Sequence, residues 1–144
     1  MSNNQAITVS FKSMEWTEKP VQAFQDLKHN HASANITFGG KDMKGKGLSS
    51  YVLTYNADGE GYKNSFTYDG QIIFEGTISG KSGAIVIRER GAAKNGVINA
   101  NWVFAPETGS GELQDLAGEG EYTMKLGGGN AAPETQANLV LSWP

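Results

Sequence analysis

A carboxylate stands where a hydrocarbon is expected. Ile85 and Ile87 alternate with Val86, and the same parity continues to Glu89. On a strand that alternation carries all three side chains to one face. If that face is the interior, burial disfavours the charged form of a carboxylate, a setting suited to general acid or base work. The bland alternative is a solvated rim position paired with Arg88, Arg90 or a lysine. Aromatic groups with polar tips fall on matching parities elsewhere: Tyr51, Tyr55, Trp102 and Tyr122, with Met124 two residues on. Such side chains make either a solid core or an aromatic-lined pocket in which phenol and indole groups orient an apolar ligand. Glu89 is thus the candidate catalytic residue. Tyr51, Tyr55, Trp102, Tyr122 and Met124 are the candidate ligand-binding residues.

Other chemistries are poorly supplied. His29 and His31, the only histidines, form an H-x-H with no third ligand at a recognisable spacing, so no metal site is expected. Glycines 39, 40, 45 and 47 lie among Lys41, Lys44 and Lys46, but no phosphate-loop pattern is present. Ser49, Ser50, Ser82 and Ser110 lack a nucleophile elbow. The acidic residues Glu112, Asp115, Glu119 and Glu121 lack calcium-loop spacing and read as a solvated face. Without cysteine there is no thiolate catalysis, disulfide scaffold or iron–sulfur centre, and no cofactor is expected.

The elements that must position these residues are strands. Nineteen of 144 residues are glycine, nearly twice the usual ~7%, and from Gly39 to Gly129 few glycine-free windows exceed ten residues, which leaves a long helix nowhere to sit there. Turns are expected at residues 56–61, 79–83, 92–96 and 126–130. Between them apolar residues recur with period two: Ile7, Val9, Phe11; Ala32, Ala34, Ile36, Phe38; Tyr51, Leu53, Tyr55; Ile72, Phe74, Ile78; Ile85, Ile87; Ile98, Ala100, Trp102, Phe104; Tyr122, Met124, Leu126; Leu139, Leu141, Trp143. This gives an all-β single domain over residues 1–144, an eight-stranded antiparallel barrel with a short helix or loop after strand 1. That helix is expected within Glu18–His31, where Pro20 could open it and Val21, Phe24 and Leu27 have helical spacing. Pro106–Leu116 is expected to be a second non-strand stretch.

A net charge of −3 leaves no electrostatic footprint for nucleic acid. No apolar run is long enough for a membrane helix and no leader is visible, so the expectation is a cytoplasmic protein without membrane or nucleic-acid partners. Val52, Ile73, Val86, Val103 and Val140 take the outward parity, where an isolated barrel would place polar groups; they suggest packing against another subunit, a homo-oligomer, or against the Glu18–His31 segment.

Several segments together carry a resemblance. M-E-W-T-E-K-P at Met14–Pro20, F-G-G-K-D-M-K-G-K-G at Phe38–Gly47, Y-V-L-T-Y-N-A-D-G at Tyr51–Gly59, E-G-T-I-S-G-K-S-G-A-I-V-I at Glu75–Ile87 and the run Trp102–Tyr122 follow in order. The chain resembles a bacterial domain family of unknown function whose members form allene-oxide-cyclase-like β-barrels, related in fold to allene oxide cyclases and dirigent proteins. The resemblance implies a fold and no general activity. Relatives carry Glu at the position of Ile72 and Gln-His at Arg88-Glu89, so no catalytic role passes across. The function expected is binding of a small hydrophobic or aromatic molecule in the barrel lumen, with cofactor-independent cyclase or isomerase chemistry as one version. A non-catalytic carrier barrel, or an assembly module with a filled core, is the alternative.

Overall fold

The computed structural model describes residues 3–24, 27–55, 65–125 and 134–144. Eight strands follow in chain order: β1 (Asn3–Phe24), β2 (Leu27–Gly39), β3 (Met43–Tyr55), β4 (Phe66–Ile78), β5 (Lys81–Lys94), β6 (Val97–Gly111), β7 (Ala117–Lys125) and β8 (Thr135–Trp143). Each pairs antiparallel with its neighbours, and β8 returns to β1, pairing Trp143 with Asn3 through Thr135 with Phe11, so the hydrogen-bonded order is a closed barrel. Closure leaves no open edge around the middle of the sheet. Short turns make this possible. At Ser79-Gly80 and Asn95-Gly96 both central residues have positive φ, the backbone of a type I′ hairpin whose twist matches that of the strands. The turns expected at 56–61 and 126–130 lie outside the described residues.

The fold expectation needs correction after strand 1. Among the described residues of that span, 18–24 and 27–31, there is strand and no helix. β1 continues to Phe24 and forms a ladder with β2, pairing Glu18 with Ala32 and Pro20 with Asn30. The helical spacing of Val21, Phe24 and Leu27 was outweighed by a partner, because β2 itself extends along β3 from Gly39↔Lys44 to Lys28↔Tyr55. Pro20 is tolerated because β8 pairs β1 only up to Phe11; beyond it β1 is an edge strand on that side. The second non-strand expectation is also corrected: β6 runs through Pro106 to Gly111, and only Glu112–Asp115 is a turn. Its register jumps from Val86↔Ala105 to Ala84↔Ser110, and Thr108 Oγ1 stitches the irregularity by accepting from Val86 N and donating to Ala105 O.

Inward side chains form one continuous cluster. Toward the end formed by the β2–β3 and β4–β5 turns, Phe38, Met43, Phe74, Ile78, Phe104, Leu113 and Leu116 are 0–1% exposed. Phe38 meets Phe74 edge-on at 5.2 Å between centroids, and Phe11 lies 5.1 Å from Trp102. Full burial of one such side chain contributes roughly 1.5–3 kcal/mol. At the opposite, upper end Tyr51, Phe66, Tyr68, Ile98, Tyr122 and Met124 keep 5–9% exposure.

Candidate functional site

Glu89 points inward and is 3% exposed. The rim alternative fails: Arg88 and Arg90 face outward, bonded to Glu107 at 3.3 Å and Asp69 at 2.8 Å. Instead the carboxylate takes four donors. Trp102 Nε1 donates to Oε1 at 2.7 Å, and Tyr51 Oη donates to the same oxygen at 3.1 Å. Tyr68 Oη and Tyr122 Oη both donate to Oε2. A carboxylate is acceptor-only, with about four lone-pair directions, so the complement is full. Tyr68 Oη also lies 3.0 Å from Tyr122 Oη. Each hydroxyl has one proton, and with both directed at Oε2 it is the carboxylate that draws the two oxygens together.

The register explains how four bulky groups reach one carboxylate. One inward row across the sheet reads Tyr51, Gly70, Glu89, Trp102, Gly120; the row above it reads Tyr68, Gly91, Ala100, Tyr122. Large rings stand beside glycine or alanine. A Cβ on Gly91 would sit 2.5 Å from Tyr68 Cζ, and one on Gly70 would strike the Tyr51 ring and the Ser50 carbonyl. Gly70 and Gly91 are therefore space for phenols.

Burial first, then the charge of Glu89 beside them, pushes Tyr51, Tyr68 and Tyr122 well above the usual phenol pKa. The phenols are held protonated, as donors to the carboxylate.

A second carboxylate lies toward the upper end. Between Met14 and Thr17, β1 uses one more residue than β2, a bulge at which Glu15 takes φ 57°. The bulge switches parity, so that Glu18 faces the interior as Phe11 does. Glu18 accepts from Trp16 Nε1 at 3.1 Å, Asn30 Nδ2 at 2.6 Å and Tyr55 Oη at 2.6 Å. Burial, with Glu18 as bonding partner, raises the Tyr55 pKa as well. Trp16, half exposed, stacks on Tyr51 at 6.2 Å and links the two clusters.

Of the residues expected from sequence, the structure brings Glu89, Tyr51, Trp102 and Tyr122 together. Tyr55 belongs to the Glu18 cluster. Met124, opposite Ile98, packs in the core beyond Tyr122. Sequence reasoning missed Tyr68, although parity carried back from Phe74 and Ile72 through Gly70 reaches it. It also missed Trp16, Glu18 and Asn30, hidden by the expected helix and by a bulge that no alternation pattern announces. His29 and His31 sit on β2, bonded separately to Thr54 Oγ1 at 3.1 Å and Ser50 Oγ at 2.8 Å. Among the described residues no group of three His, Cys, Asp or Glu side chains could hold a metal.

The fold and site define a class: a closed antiparallel sheet of eight strands with a carboxylate girdled by phenols inside it. Residues 7–132 match the family described as "Protein of unknown function (DUF3224)", and the chain belongs to that family. It is similar in fold to the crystal structure of a DUF3224 protein of unknown function from Shewanella oneidensis MR-1, at 18% sequence identity, with 97% of this chain and 96% of that chain covered and a TM-score of 0.67. No curated protein matches the chain.

Proposed function

We propose that the upper end of the lumen binds a small, flat, largely apolar molecule bearing a hydroxyl or N–H group. The observation that carries this is the convergence of Tyr51, Tyr68, Tyr122 and Trp102 on one buried carboxylate. Packed hydrocarbon of the same volume would serve stability equally well or better, so a polar cluster in the core points to use. Residual exposure at Tyr51, Tyr68, Tyr122 and Phe66 supports approach from that end, and half-exposed Trp16 offers a ring face beside it. Phenol lone pairs would accept the ligand's donor, and the rings its apolar body.

A proton-transfer version, isomerisation or cyclisation without a cofactor, follows from the two phenols on Oε2. A substrate proton passes to a phenol oxygen as that phenol's own proton passes to Glu89; the reverse movement returns a proton to a different substrate atom, so the balance closes.

The test is calorimetric titration with 1-naphthol and with 1-methylnaphthalene. Saturable binding of 1-naphthol, about tenfold tighter than its methyl analogue, is expected. Tyr68→Phe combined with Tyr122→Phe should erase the preference while leaving 1-methylnaphthalene affinity similar. Absence of binding by both probes overturns the proposal.

A further inference from the structure

We propose that the outer face of β5–β8 is a two-fold docking surface for a second copy of this chain. Strand pairing lays the outward side chains in two rows: Arg90, Asn101, Glu121, Asn138 and, beside it, Arg88, Val103, Glu119, Val140. In these rows β5 contributes only positive charge and β7 only negative charge, with uncharged β6 between them. A two-fold axis lying in the contact plane along β6 carries β5 of one copy over β7 of the other at the same height. Arg90 then faces Glu121 of the second copy and Arg88 faces its Glu119, each pair repeated by symmetry, while Val103 meets its own image. An axis across the strands would stack arginine on arginine. The charge pattern therefore selects one orientation as well as one partner.

Shape agrees with charge. Gly118 and Gly120 let β7 lie close on Leu141 and Leu139, whose side chains a Cβ at either position would strike. Outside, the face is concave over β6–β8 and the start of β1, with a cavity of about 680 Å³ bounded by Asn101, Val103, Glu119, Glu121, Asn138 and Val140. Arginine arms from β5 of the other copy are long enough to enter it. The present partners of Arg88 and Arg90 are Glu107 and Asp69, in surface pairs whose side chains are all at least 60% exposed. Pairs of that kind are weak and easily exchanged. Val103 and Val140, 53% and 49% exposed, supply the apolar centre.

The experiment is sedimentation equilibrium of the full chain, with charge-reversed variants checked for unchanged thermal midpoint. A dimer of the 15.4 kDa chain is expected, weakening as salt rises. Arg88→Glu with Arg90→Glu, and separately Glu119→Arg with Glu121→Arg, should each weaken self-association about a hundredfold or more. Mixing those two variants should restore a one-to-one dimer, and all four changes in one chain should restore the homodimer. A wild-type chain monomeric at 100 μM overturns the proposal. So does a dimer indifferent to both reversals, or a mixture that fails to reassociate.

Discussion

Glu89 shows what a single residue can impose on a core. With every lone-pair direction engaged, its removal leaves three phenols and an indole N–H facing an empty site. Glu89→Ala should cost about 3–5 kcal/mol in chemical denaturation. Glu89→Gln keeps one acceptor oxygen but turns an amide toward donors, and should cost about 1–3 kcal/mol. A Gln variant as stable as wild type would show that the four bonds do not act as a unit. Parity alone places Glu89 in the interior; its partners come from four other strands, and only Trp102 is its direct neighbour in register.

Among the elements, β1 is the one whose detail governs the upper end. The bulge at Glu15 brings Glu18 inward to Tyr55 and Asn30, and Glu15 pays for this with a left-handed backbone. Asn tolerates that conformation, whereas a β-branched residue does not. Glu15→Asn should leave stability within about 0.5 kcal/mol, while Glu15→Val should lose about 1–2 kcal/mol. The Val variant should also shift tryptophan emission as Trp16 moves off Tyr51. Equal stability of the two variants would remove the bulge from this account. The strands with clean alternation, β5 and β8 among them, were legible because their inward residues repeat without interruption. β1 was not, because a bulge changes parity in mid-strand and Pro20 mimics a helix start.

At the scale of the whole molecule, the phenols tie β3, β4 and β7 to β5 through one group, so their ionisation is linked to global unfolding. Tyr51, Tyr55, Tyr68 and Tyr122 all have folded pKa values raised above the unfolded value of about 10. The folded state therefore holds these protons more tightly. Their contribution is fully present below pH ~10 and is lost as pH rises beyond it, where the unfolded chain releases protons that the folded chain keeps. The thermal midpoint should fall steadily above pH ~10. Phenolate absorbance of these four should appear only together with loss of the near-ultraviolet circular dichroism of the fold. Gradual ionisation at constant dichroism would contradict the buried cluster.

Composition and alternation by themselves determined a glycine-punctuated all-β chain, the inward parity of most strands and the anomaly at Glu89, because a strand's two faces are fixed by local geometry with period two. Only the tertiary structure decided which tyrosines meet that carboxylate, that Tyr68 and not Tyr55 completes the set, and that residues 18–24 and 27–31 belong to paired strands. Those outcomes depend on cross-strand register and on a bulge, which arise from pairing between segments far apart in the chain. No local pattern records them.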